Sequence, residues 1–181
     1  MTVMVDDAGT GDPVGGCVIG VLRVESREFV SGVVPVRYFQ EPLFRERRYL
    51  EEAARIVLEA FRRLKVRRGE RVQVCRGDVL KLARVRLSRE FKVECVRVEG
   101  DLQLLVEGAY LEHLASLGVP RGLLTIKSGR ERFISLLRWV YEDPERRLRV
   151  AKTGWPSWWR RLDGWGRRLA CEARLRASGS P

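Results

Sequence analysis

Two adjacent carboxylates, Asp6 and Asp7, follow the apolar run Val3-Met4-Val5 and precede a glycine turn, Ala8-Gly9-Thr10-Gly11. Neighbouring carboxylates repel one another unless a positive group lies near, and at the end of a strand that group is commonly a divalent cation. A plain turn also accounts for aspartate beside glycine. If the strand stays regular, alternation points the two carboxylates to opposite faces, one as the main ligand and the other as a helper or structural residue. Asp78 follows the run Arg71-Val72-Gln73-Val74-Cys75 and opens a helical segment, a position that an ordinary N-cap also fills. Glu107 lies among Leu102, Leu104, Leu105, Val106, Ala109, Tyr110, Leu111 and Leu114. That pattern predicts a helix buried nearly all round, whose carboxylate needs a metal or an arginine as partner. Asp101 competes with it but is explained as a helix cap. Glu51 and Glu52 read as an exposed helix face, and His113 as a structural histidine.

The elements that must position these acids follow from periodicity. Residues 1–7, 17–24 and 29–39 read as strands, rich in β-branched residues and joined by short links that favour antiparallel neighbours. Tyr49, Ala53, Ile56, Val57, Ala60, Phe61 and Leu64 then recur at helical spacing, predicting a helix over residues 45–65. A strand over 71–75, a helix over 79–89, a strand over 92–98, a helix over 101–117 and a helix over 129–141 complete the series. The expectation is an α/β fold: a mixed five-stranded sheet, with three antiparallel strands followed by alternating strands and helices, flanked by helices. Residues 1–142 form the domain, and residues 143–181 a basic extension rich in Trp and Arg.

The formal net charge of +11 and pI of about 10.2 point to a polyanionic partner, foremost nucleic acid. In the extension, Trp155, Trp158, Trp159 and Trp165 interleave with Lys152, Arg160, Arg161, Arg167 and Arg168. Aromatic faces stack on bases and guanidinium groups pair with phosphates, so Lys152, Trp155, Arg160 and Arg161 are candidate nucleic-acid contacts. The alternative is a helix whose tryptophans pack back on the domain. Cys17, Cys75, Cys95 and Cys171 have no zinc-ligand spacing, and the first three read as small core residues. The first residues lack the basic and apolar regions of a signal peptide, and no apolar run is long enough to span a membrane, so the expected location is the cytosol. The absence of Asn is a weak thermophile signal, and a GC-rich genome explains the arginine bias equally well.

The order of elements, together with Asp6-Asp7-Ala8-Gly9-Thr10-Gly11, resembles the ribonuclease H-like superfamily. The opening motif looks like the Asp-Glu-Ala-Gly-Arg-Gly of type 2 ribonucleases H. Asp7 stands where that family has Glu, Thr10 where it has Arg, and Asp12 is an added residue. The motif likeness covers about the first twenty residues and the fold likeness roughly residues 1–120. The resemblance implies a nuclease that cleaves RNA, an RNA–DNA hybrid or branched DNA with two divalent metals, Mg²⁺ or Mn²⁺. It further implies Asp6, Asp78 and Glu107 as metal ligands, with Asp7 as a fourth catalytic residue. A non-catalytic nucleic-acid-binding protein on the same fold is the alternative.

Overall fold

Val, Ile and Leu alternate or run together in five short segments, and these segments are the strands. The computed structural model describes residues 1–155. Strands β1 (Thr2–Ala8), β2 (Cys17–Arg23), β3 (Glu28–Val34), β4 (Arg71–Cys75) and β5 (Val93–Val96) form one sheet in the order β3-β2-β1-β4-β5. The first three strands pair antiparallel, whereas β4 runs parallel to β1 and β5 parallel to β4. The expected mixed α/β sheet is therefore present, with β1 at its centre. Among the described residues no helix is long and apolar enough to cross a membrane.

Helices α1 (Arg48–Arg63), α2 (Lys81–Leu87), α3 (Asp101–Ser116), α4 (Arg121–Leu124), α5 (Gly129–Glu142) and α6 (Pro144–Arg147) complete the order. Alternation along β1 assigns them to two faces. Val3 and Val5 join a core with Ile56, Val57 and Phe61 of α1 and Ala83 and Leu87 of α2. Met4 and Ala8 face a second core built on Val106, Tyr110 and Leu114 of α3 and Leu136 and Val140 of α5. Gly20, opposite Asp6 in the register, brings α3 close to the sheet: a Cβ there would lie 2.3 Å from Val106 Cγ2. The helix that carries Glu107 is thereby seated against the strand that carries Asp6.

Several expected boundaries moved. The third strand ends at Val34, because Pro35 (φ −58°) leads into a 3₁₀ turn over Val36–Phe39. Helix α1 starts at Arg48, after Arg47 adopts a left-handed conformation (φ 56°). A 3₁₀ turn over Asp78–Leu80 precedes α2, and Gly77, not Asp78, is its cap residue. Gly100, not Asp101, is the cap residue of α3, and Asp101 in its first turn pairs with Arg27 at 2.8 Å. Helix α3 is not buried all round: Leu104 is 68 % and Leu105 40 % exposed. Its burial comes from one stripe, Leu102, Val106, Tyr110 and Leu114, spaced four residues apart. Cys17 is in the core as expected, but Cys95 is exposed on β5 and Cys75 only half-buried.

Residues 143–155 pack on the domain through their backbone. Val14 and Ala151 form a β-bridge, the Gly15 amide donates to Val150 O at 2.8 Å, and the Lys152 amide donates to Pro13 O at 2.9 Å. This strap fixes the far end of the glycine turn.

Candidate functional site

Asp6 and Asp7 occupy the end of the central strand, where the chain leaves the sheet. In the parallel β1–β4 pair Val5 faces Val74, so the next residues, Asp6 and Cys75, emerge side by side. One ligand atom each from Asp6, Asp7 and Cys75 lies within 4.8 Å of the others. These residues line a cleft of about 370 Å³, together with Glu107 and Gln103 of α3 and the turn Gly9-Thr10-Gly11.

Acidic groups outnumber the cations around this cleft, whose wall also includes Arg132. Asp6 is only 6 % exposed. Burial raises its pKa and the Glu107 carboxylate adds to the rise, while hydrogen bonds from the Cys75 thiol and the Asp7 backbone amide oppose it. Asp7 is raised too, first by burial and further by Asp6. The Thr10 hydroxyl, donating to Asp7 Oδ2 at 2.7 Å, favours its ionised form, as does the charge of Lys152. Burial and the hydrogen bond to Asp6 push the Cys75 thiol up to about 11, so at neutral pH it is a donor to Asp6 and not a thiolate. Three carboxylates thus line one cleft, and the charge acting on Asp6 is another carboxylate, while Lys152 offsets part of the rise at Asp7. That is the arrangement a divalent cation relieves, and hard oxygen donors suit Mg²⁺ or Mn²⁺.

The glycine turn that closes the cleft is held from beneath. Gly9 has φ +87°, and a Cβ on it would lie 2.2 Å from the Tyr110 ring. The Tyr110 hydroxyl donates to Val14 O at 3.0 Å, and burial raises its pKa well above normal, so it stays a donor. Lys152 is 2 % exposed; its ammonium donates to Gly9 O and sits 4.8 Å from the Phe39 ring centre. Burial lowers its pKa to about 8, against the pull of Cys17, Asp12 and Asp7. His113 accepts from the Gly16 amide at 3.3 Å, and burial lowers its pKa, in keeping with a structural histidine.

Of the residues named from the sequence, Asp6 and Asp7 are brought together and Glu107 lines the same cleft, as an exposed residue accepting from Gln103 Nε2 at 3.2 Å. Asp78 is exposed at the start of the 3₁₀ turn and is not among the residues that line the cleft. Lys152, expected on a nucleic-acid surface, is buried, because it anchors the turn. Trp155 is 38 % exposed, stacks on Phe44 with centroids 6.0 Å apart, and lines a larger cleft of about 950 Å³ on the other side of the turn. Arg160 and Arg161 lie outside the described residues. Glu51 pairs with Arg48 on the surface of α1, whereas Glu52, its side chain 14 % exposed, is half-buried and pairs with Arg55. Cys75 was missed as a site residue, although strand alternation beyond the buried Val72 and Val74 turns it to the Asp6 side.

The fold and site define an α/β protein with a mixed open sheet and a carboxylate-lined cleft at the end of its central strand. Comparison with protein-family models, with curated proteins and with solved structures gave no match.

The raised carboxyls predict a metal-dependent stability. Between the ordinary aspartate value, about 3.9, and the raised native values, the folded state holds more protons than the unfolded one. The contribution of Asp6 and Asp7 to stability therefore declines as pH rises through that window. A cation that binds the ionised pair opposes this loss. Mg²⁺ or Mn²⁺ at a hundred times its Kd is expected to add about 2.7 kcal/mol, or several degrees in Tm. The increment shrinks as acidification protonates the pair. Thermal melts with and without metal at neutral and acidic pH check this, and an increment independent of pH contradicts it.

Proposed function

We propose that the protein hydrolyses phosphodiester bonds in nucleic acid, using divalent metal ions held by Asp6, Asp7 and Glu107 on a ribonuclease H-like fold. The observation that carries the reading is the convergence of Asp6 and Asp7 at the end of the central strand, in one cleft with Glu107 of the helix packed beside it. The strand order β3-β2-β1-β4-β5 and the net charge of +11 support the same reading. Divalent cations held by these carboxylates would supply activation of a water and neutralisation of the leaving oxygen.

The chain's own residues prepare that chemistry. The Cys75 thiol and the Asp7 amide favour the carboxylate form of Asp6. Thr10 does the same for Asp7 and is itself held 3.0 Å from Cys17 Sγ. Tyr110 and Lys152 hold the turn that forms one wall. Replacement of Thr10 by Val removes a donor to the ionised Asp7, so the acid limb of the pH–rate profile is expected to move to higher pH. An unchanged limb would detach Asp7 from the titration that controls activity.

The test is a panel of end-labelled single strands, RNA–DNA hybrids and branched DNA, incubated with Mg²⁺ or Mn²⁺ and with a chelator as control. Metal-dependent cleavage of one class is expected. Salt-dependent binding without cleavage of any class would favour a binding protein, a reading to which the position of Asp78 away from the cleft lends weight.

A further inference from the structure

Asp12, which follows the glycine turn, is 6 % exposed, and its Oδ2 accepts from Arg132 Nε of α5 at 2.8 Å. It also meets the buried Tyr110 hydroxyl. Burying an ion pair costs desolvation of both partners, so the pair is a weak source of stability. What it does supply is position. Asp12 engages Nε alone, and among the described residues nothing accepts from the two terminal guanidinium nitrogens. The Arg132 side chain is 25 % exposed and lines both clefts, where they meet across Gly9-Thr10-Gly11.

The larger cleft has the character of a nucleotide track. Arg130 joins Arg132 on its wall, and its acid, Asp12, is already paired. Trp155 contributes an aromatic wall and is backed by stacked rings, Phe44 on Tyr49 and Tyr49 on Phe39, with centroids 5.5 Å apart in each pair. Aromatic surface beside guanidinium groups is the combination that takes stacked bases and a phosphate backbone.

We propose that Arg132, oriented by Asp12, is a phosphate-binding residue that guides the nucleic-acid strand from the acid cleft over the glycine turn into the larger cleft. The inference rests on the proposed function and deepens it. The terminal nitrogens grip the non-bridging oxygens of the phosphate at the turn, and Trp155 takes a base beyond it. Lysine cannot replace this fork, because an ammonium offers a point charge without the second edge that Asp12 fixes.

The test uses full-length protein carrying Asp6→Asn, so that cleavage does not interfere. The probes are a labelled single-stranded RNA and the same strand paired with DNA, titrated over a salt series. Arg132→Ala is expected to weaken binding about 10- to 100-fold and to reduce the log–log salt slope by about one. Arg132→Lys is expected to restore the slope but not the affinity. Because Arg132→Ala strands a buried Asp12, the double variant Asp12→Asn/Arg132→Gln keeps a neutral hydrogen-bonding pair in place, and it is expected to show the same loss of slope. Unchanged affinity and slope in these variants, with a parent that binds, would overturn the role of Arg132 alone. A parent with no salt-dependent binding to either probe would overturn the proposed function as well.

Discussion

Asp6→Asn is expected to lower metal-dependent cleavage by at least about 100-fold, since disturbing even the supporting groups of a metal site costs about 10- to 100-fold. Binding of nucleic acid is expected to persist. The physical reason is that Asn keeps the shape of the side chain but removes the most buried of the three carboxylates that face the cleft. The same change has a second consequence of opposite sign. Without metal, burial and the Glu107 charge both oppose the ionised Asp6. An uncharged amide escapes both, so the variant is expected to melt at a higher temperature than the parent in chelator and to gain less from added metal. Loss of activity with a lowered melting temperature would instead mark Asp6 as a structural residue.

Gly9→Ala is expected to destabilise the protein by about 2–5 kcal/mol. Roughly 1–2 kcal/mol comes from a non-glycine residue at φ +87°. Overpacking against the Tyr110 ring adds about 1–3 kcal/mol, since a Cβ would lie 2.2 Å from it. The ring has little freedom to yield, because it is buried and its hydroxyl is bonded to Val14 O. Gly11→Ala is the control: nothing lies within 4 Å of a Cβ there, and its φ is not in the left-handed region. That variant is expected to stay within about 0.5 kcal/mol of the parent. Urea denaturation of the two variants checks the difference, and equal midpoints would show that Tyr110 does not hold the turn.

Periodicity made most of the architecture legible, because each strand and each long helix carries its own local pattern. Helix α1 is the clearest case: Ala53, Ile56, Val57, Ala60 and Phe61, picked out by spacing, are its buried face. Helix α3 misled for a physical reason. Its apolar residues run all round, yet only the stripe through Val106 and Tyr110 meets the sheet, and Leu104 and Leu105 remain exposed. The pair Asp6–Asp7 was legible from local sequence, whereas Cys75 requires the β1–β4 register, in which it emerges beside Asp6. A thiol is not a carboxylic acid, and the next acid along the chain is Asp78, three residues later. The Asp12–Arg132 pair spans 120 positions, and the burial of Lys152 depends on a strap that returns to Pro13 from the far end of the described chain. Neither contact leaves a local trace.

Under the proposed function, the acid cleft holds the divalent cation on which cleavage depends. Titration of Mn²⁺ followed by electron paramagnetic resonance, on the full chain and on its Asp6→Asn variant, measures this without a substrate. Saturable loss of the free Mn²⁺ signal is expected with the parent protein, and binding at least about tenfold weaker, some 1.4 kcal/mol, with the variant. Equal Mn²⁺ binding by the two proteins, or none by the parent, would contradict it.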